Sequence, residues 1–371
     1  MAEYRVPIKY AFPLFTKHNS TDYLIKQDQI RVSDSWAFWQ YIIGRYVKKY
    51  SGEKEFLLTL IEQARYFYEA AEKAPIKSQP LLYYYSFLNL VKVVINVNTL
   101  TTYGTGYNYY HGIEACDIKK KDKLQNLSVG IKSLLLSPGT HPRPGKLPDL
   151  SVAYTFMKQM GDNFPCPPKF NLNIVDMLKA CVGIHRTYSE TNNEKEAYIR
   201  LGTLDLCREG KTLRCRYEVL DCDANICAQL RAAGYNIVQD VAEDGTSHFK
   251  WIEEWTMSSY KETKYDYYML AERLKTKGIW YYTDGNIYRT FISISPLHIS
   301  TESIIYNLMF FFGSITRYHP YMFDNLLTDQ QMWLISEFLR TQPKQFLHAV
   351  TSRTIESAVL NPFPANDILK Y

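Results

Sequence analysis

Apolar and aromatic side chains recur at helical spacing in two stretches near the start of the chain, at Phe56, Leu60, Ala64, Phe67 and Ala71, and again through Pro80-Leu81-Leu82-Tyr83-Tyr84-Tyr85-Ser86-Phe87-Leu88-Asn89-Leu90-Val91-Lys92. That period predicts helices over 53–73 and 80–96 that pack face to face. Ala74-Pro75 ends the first, and Ser78 caps the second with Pro80 in the first turn, where a missing amide hydrogen costs nothing. An earlier helix, capped by Ser33 or Asp34, runs through Trp36, Trp39, Ile43 and Val47. Pro7 and Pro13 leave residues 1–32 as an irregular or short-stranded leader. From Thr101 to Gly145 the pattern reads mostly as loop, with a strand or short helix at 128–136 and no regular structure in the proline- and glycine-rich 137–145. His111-Gly112 sits in this loop, near one end of the helix pair. Helices are expected over 151–160 and 171–186.

Around Asn192 the pattern changes to alternation. Ala197–Leu201 and Thr212–Val219 read as strands joined across Arg208-Glu209-Gly210-Lys211, and Asp244-Gly245 and Asp284-Gly285 signal two more hairpins. Helices are expected at 224–233 and 264–277, then at 302–317, 329–341 and 345–357. The fold class is therefore α+β, predominantly α: a helical bundle with a small antiparallel sheet inserted or appended. Its parts are a helical body (1–190), a small α/β or antiparallel β subdomain (191–295), and carboxy-terminal helices packing back on the body (296–371).

Composition changes this picture in one respect. Apolar content of 46% and charged content of 22% are those of a globular chain, but 31 tyrosines exceed ordinary usage. Such an excess serves either aromatic cores or surfaces that stack on bases and partners. A net charge of +5 permits a nucleic-acid partner without arguing for one. The basic runs at 45–49, at Lys119-Lys120-Lys121 with Lys123, and at 208–216 read as solvated faces, Lys119, Lys120 and Lys121 being the candidate nucleic-acid contacts. No signal-like leader is visible, and the longest apolar run, Ile304–Ile315, is broken by Asn307 and Gly313, so no membrane partner is expected. Seven cysteines without CxxC spacing fit a reducing cytoplasm. Oligomeric state is left open.

Most motifs fail on inspection. Gly210-Lys211-Thr212 lacks the earlier glycine of a phosphate-binding loop, position 205 being Asp, and reads as a hairpin turn. Gly104-x-Gly106 lacks the third glycine of a dinucleotide fingerprint. Cys207, Cys215, Cys222 and Cys227 cluster in sequence, yet only the last two have zinc-ligand spacing, so all four are expected as buried free thiols. With no HExxH and no GxSxG elbow, no metal or cofactor is expected. What remains is Ser314-Ile315-Thr316-Arg317-Tyr318-His319-Pro320 together with His111-Gly112. Arg317 suits charge stabilisation on a phosphoryl group, and His111 and His319 suit proton transfer. The alternative is structural: Arg317 bonds the last carbonyls of its helix, and Tyr318-His319-Pro320 is a packed turn.

The Leu81–Lys92 stretch, His111-Gly112 and Arg317-Tyr318-His319-Pro320, in that order, resemble the YaaC-like bacterial proteins, which implies a bacterial cytoplasmic setting. The helix carrying Ala64-Arg65-Tyr66-Phe67-Tyr68-Glu69-Ala70-Ala71, paired with the tyrosine-rich helix, also resembles HEPN domains, helical bundles of toxin and defence systems that are often metal-independent RNases. Their usual arginine and histidine, about four to six residues apart, are missing: Arg340 and His348 have seven residues between them, Arg289 and His298 eight. Two functions are thus expected. The first is an accessory protein binding a protein or nucleic-acid partner, in stress or phage defence. The second is a metal-independent nuclease or other phosphoryl-transfer enzyme using His111, Arg317 and His319.

Overall fold

In the computed structural model the described residues are 4–8, 29–46, 51–97, 103–116, 118, 123–133, 147–162, 169–220, 222–241, 247–256, 279–284, 287–293, 299–326, 329–355 and 358–360. In chain order the elements begin with β1 (Tyr4–Ile8), β2 (Gln29–Arg31), α1 (Ser35–Tyr46), α2 (Ser51–Lys73) and α3 (Gln79–Val97). Next come β3 (Asn108–Tyr110), β4 (Ile113–Cys116), β5 (Ser128–Lys132), β6 (Asp149–Ser151), α4 (Val152–Gln159), β7 (Lys169–Asn173), α5 (Ile174–Lys179) and α6 (His185–Asn192). The sheet region holds β8 (Tyr198–Glu209), β9 (Thr212–Val219), α7 (Ala224–Ala232), β10 (Ile237–Val241), β11 (Ser247–Thr256), β12 (Ile279–Asp284) and β13 (Ile287–Ser293). The chain closes with α8 (Thr301–Tyr318), α9 (Pro320–Leu326), α10 (Asp329–Ile355) and β14 (Ala358–Leu360). The expected helix at 264–277, the segment 137–145 and Lys119–Lys121 lie outside the described residues.

The chain divides into two units. One comprises Asp34–Lys195 and Ile299–Ile355; the other comprises Met1–Ser33, Glu196–His298 and Glu356–Tyr371. The described strands β1, β2 and β14 belong to the second of these units.

In the helical unit, Asp34 caps α1, its Oδ1 accepting from the amides of Trp36 and Ala37 at 3.0 Å each. α2 and α3 pack as their apolar faces require: Ser86 Oγ donates to Ala64 O at 2.7 Å, and the Tyr68 and Tyr83 rings meet edge-on at 5.2 Å. α3 is apolar and long enough to cross a membrane by composition, but 72% of that window is buried, as in a central core helix. Its other face meets α8 and α10 through Tyr84–Phe310 at 5.1 Å and stacked Phe87–Phe346 at 4.1 Å.

Three expectations for this unit are corrected. The mostly-loop reading of 101–145 misses β3 and β4: β3 pairs in parallel with β6, and β4 pairs with β5, the strand alternative expected at 128–136, which β7 flanks on its other side. The expected helix at 171–186 is instead β7, α5 and α6, because residues 169–173 pair with β5, Asn173 Oδ1 caps α5, and Gly183 takes a left-handed turn at φ 100°. The two expected carboxy-terminal helices are one, α10, with Pro343 inside it. An interior proline costs about 3 kcal/mol, and here buried Phe338, Leu339, Gln342, Phe346 and Leu347 hold the turns on both sides.

The other unit is built on a seven-stranded sheet, ordered β10-β11-β9-β8-β13-β12 with β1 also pairing to β8, antiparallel at every pair. Its core includes Tyr217 stacked on Trp251 at 5.5 Å, with Cys227 and Leu230 of α7 in the same cluster. β2 and β14 form a separate parallel pair. One cysteine expectation fails here: Cys222 and Cys227 form a disulfide, their Cα atoms 6.4 Å apart across the capped start of α7. Cys215 is buried and in no disulfide, as expected. The side chain of Cys207 lies outside those described.

Candidate functional site

His111 is placed by its own backbone. Its carbonyl accepts from the Ala153 amide at the start of α4 (3.1 Å), and the Gly112 carbonyl accepts from Lys132 of β5 (2.9 Å). Gly112 takes a left-handed φ of 68°, which turns the chain tightly into β4. The His111 ring then lies over α3, with the Tyr84 hydroxyl 2.5 Å from Nδ1 and the two rings 5.6 Å apart. Tyr84 is buried, and burial raises its pKa well above the ordinary phenol value, so the hydroxyl keeps its proton. When that hydroxyl donates to Nδ1, Nε2 carries the ring hydrogen.

α8 brings the second group. Gly313 lets this helix approach α3 closely: a Cβ there would lie 3.2 Å from Pro80 O and 3.3 Å from Leu81 Cα. One turn later Arg317 donates to the Tyr85 hydroxyl at 2.6 Å and its guanidinium lies 5.0 Å over the Tyr318 ring. Arg317 is therefore exposed and held by aromatic side chains, not spent on helix-end carbonyls as the structural alternative required. His319 follows as the residue ending α8, its amide bonded to Ile315 O at 2.8 Å.

His111, Arg317 and His319 line one half-open cavity of about 640 Å³, with Tyr84, Tyr85, Tyr110, Phe310 and Tyr318 supplying aromatic walls. This volume is within the range of small-molecule sites, roughly 300–1,000 Å³. Glu114 and Lys132 also line it. That carboxylate is already committed, bridging Lys132 and Lys169 at 2.5 Å each, and both contacts hold its pKa below the usual carboxylate range.

Lys92 completes the electrostatics. It is half-buried on α3, its ammonium 5.9 Å from the centre of the Tyr109 ring, and burial lowers its pKa. Among the described residues neither Lys92 nor Arg317 has a carboxylate partner. His111 feels both: burial, then the Lys92 and Arg317 charges, hold its pKa below the ordinary histidine value, so the imidazole is neutral at pH 7. Sequence reasoning missed Lys92 and Tyr84 because both lie inside a helix that reads as core. The available signal was that Lys92 is the lone charge in α3. Lys119, Lys120 and Lys121, the other candidate contacts, lie outside the described residues. Among the described residues no group of three or more His, Cys, Asp or Glu is arranged to hold a metal ion.

The model of the YaaC-like protein family matches residues 21–354, which include every cavity residue named above. The chain belongs to the YaaC-like family. No curated protein and no solved structure matches it. The cavity of this YaaC-like chain has a concave wall carrying a guanidinium and two imidazoles, a half-buried ammonium nearby and, among its described lining residues, one carboxylate held by two lysines.

Proposed function

We propose that the cavity binds a phosphate-bearing ligand and that His111, Arg317 and His319 contact its phosphoryl oxygens. The observation that carries this reading is the uncompensated positive charge: Lys92 and Arg317 face His111 with no carboxylate partner among the described residues. A half-buried ammonium without a counter-ion is costly, and an anion in the cavity would offset the charge that Lys92 and the exposed Arg317 direct at His111. Arg317 supplies a planar donor fork suited to phosphate, His111 a neutral Nε2–H donor, and the aromatic walls an apolar seat for the rest of the ligand. The same arrangement favours a catalytic site over a purely accessory protein, which needs no such convergence.

A second reading, phosphodiester cleavage without metal, is favoured by the paired imidazoles. Anion binding would draw a proton onto His111; as imidazolium it would protonate the leaving oxygen. His319 would accept the proton of the attacking hydroxyl, and Arg317 would stabilise the phosphoryl charge. The helical setting is compatible with a HEPN-like bundle and a role in defence, as the sequence resemblance implies. The test is calorimetric titration with inorganic phosphate and AMP, beside incubation with labelled RNA and DNA, of wild type and of His111→Ala, Arg317→Ala and His319→Ala. Binding weakened by the Arg317 change supports the site; no binding of either anion overturns it. Cleavage lost in all three variants supports catalysis, and cleavage absent from wild type removes the second reading alone.

A further inference from the structure

The phosphate site has an aromatic platform at its edge. Tyr318 lines the cavity yet is 62% exposed, and Tyr321, three residues on in the first turn of α9, is 70% exposed. The backbone between them spans at most about 11 Å, which keeps Tyr321 close to the cavity although it is not one of the lining residues. Tyr318 already carries a guanidinium on its face, Arg317 lying 5.0 Å over the ring. An arginine placed against a flat, solvent-facing ring can hold a phosphate while that ring offers a surface to an adjoining base. Lys77, which is tied to α9, is paired with Asp324.

Resting on the phosphate-binding reading above, we propose that the ligand is a strand of single-stranded nucleic acid rather than a mononucleotide, one phosphate entering the cavity while neighbouring bases stack on Tyr318 and Tyr321. Base stacking on aromatic side chains is tolerant of sequence, which fits a site whose walls offer rings and few base-reading polar groups. A modest overall charge fits as well, because a short strand held at one phosphate and two rings needs no extended basic track.

The test is titration of wild type with AMP and with 5′-phosphorylated oligoadenylates of increasing length, in RNA and DNA arms. Affinity is expected to rise about tenfold with each base that gains a tyrosine, then level off. In the double variant Tyr318→Ala, Tyr321→Ala that rise over AMP is lost, and Tyr318→Phe, Tyr321→Phe restores it. If AMP binds and length makes no difference, or the double alanine variant keeps the length dependence, the strand proposal is overturned and the phosphate site stands. If neither AMP nor any oligomer binds, both fall. A rise confined to the RNA arm supports the proposal and identifies the 2′-hydroxyl as part of recognition.

Discussion

Gly112 and Ser151 are packed so closely that no side chain fits between them: a methyl group on Gly112 would overlap Ser151 Oγ and lie 3.2 Å from Ser151 Cα. The same serine caps α4 and donates to Lys132 O at 2.7 Å, so it cannot swing away without loosening the strand that carries Lys132. Gly112→Ala should therefore lose more than the roughly 1–2 kcal/mol of a left-handed backbone, and should displace His111. Gly161 gives the control. It also has a positive φ, 81°, but open space around it, so Gly161→Ala should show the backbone cost alone. Denaturant unfolding of the two variants checks this; equal losses would show that the Ser151 contact is slack.

His111 should titrate below an ordinary histidine, and part of that depression should be removable. Burial is the first cause and the charges of Lys92 and Arg317 follow, so Lys92→Met should raise the midpoint of His111 without restoring it fully. Saturation with AMP should raise it too, because an anion favours the imidazolium. The ring-proton chemical shift of His111 followed by NMR against pH reads both effects. A midpoint indifferent to the Lys92 change would mean that the ammonium does not act on the ring.

Asp162 anchors the start of the helix that carries Arg317. Its carboxylate accepts from the Ser300 amide (2.6 Å), Ser300 Oγ (3.0 Å) and Ser303 Oγ (2.5 Å), inside the core. Burial pushes its pKa up to about 6, against the pull of those donors. The folded state thus holds a proton that the unfolded chain gives up near 3.8. The stability from this proton is complete below that value and is lost as pH rises through about 6, a swing of up to about 3 kcal/mol. Asp162→Asn should lack the swing, so wild type should lose stability relative to the variant between pH 4 and 7. Parallel stability profiles in urea would refute the assignment. Asp162→Ala should cost about 1–3 kcal/mol throughout, since it orphans buried donors.

The helices around this site were legible because local signals agreed with packing: the apolar period of α2 and α3, the Asp34 cap of α1, and Ser78-Gln79-Pro80 at the start of α3. What failed was non-local. Ile174, Met177, Leu178, Cys181 and Ile184 keep helical spacing across Ala180–Gly183, yet the chain turns there, and strand pairing with β5 claims the residues before Asn173. The gap expected between 341 and 345 is bridged: Pro343 lies inside α10, with buried side chains packing on both sides of it. At the site, Arg317, His319 and His111 stood out as residue types, whereas Tyr84 and Lys92 were hidden in a core pattern. Their role comes from where a distant loop lays its imidazole, which no spacing along α3 encodes. The disulfide was missed for a like reason: Cys222 precedes α7 and Cys227 lies within it, and only the capped turn at Asp223 brings them together.

Gly313 and Gly44 are both helical glycines and should respond to substitution with opposite signs. Replacing an interior helical glycine by alanine gains up to about 1 kcal/mol where space is free. Gly44 of α1 is exposed and a Cβ there would meet only Lys54 Nζ, at 4.0 Å, so Gly44→Ala should stabilise the protein by that order. At Gly313 the nearest atoms are Pro80 O, Leu81 Cα and Tyr84 Cβ at 3.2–3.3 Å, two of them backbone that cannot rotate away. There Gly313→Ala should gain little, and Gly313→Val should cost about 1–3 kcal/mol as α8 is pushed off α3. The larger side chain should also withdraw Arg317 from Tyr85 and weaken AMP binding, an effect that Gly44→Ala cannot have. Unfolding curves together with AMP titration separate the two consequences. A destabilised Gly313→Val protein that binds AMP as wild type does would show that the close crossing of α3 and α8 serves stability alone.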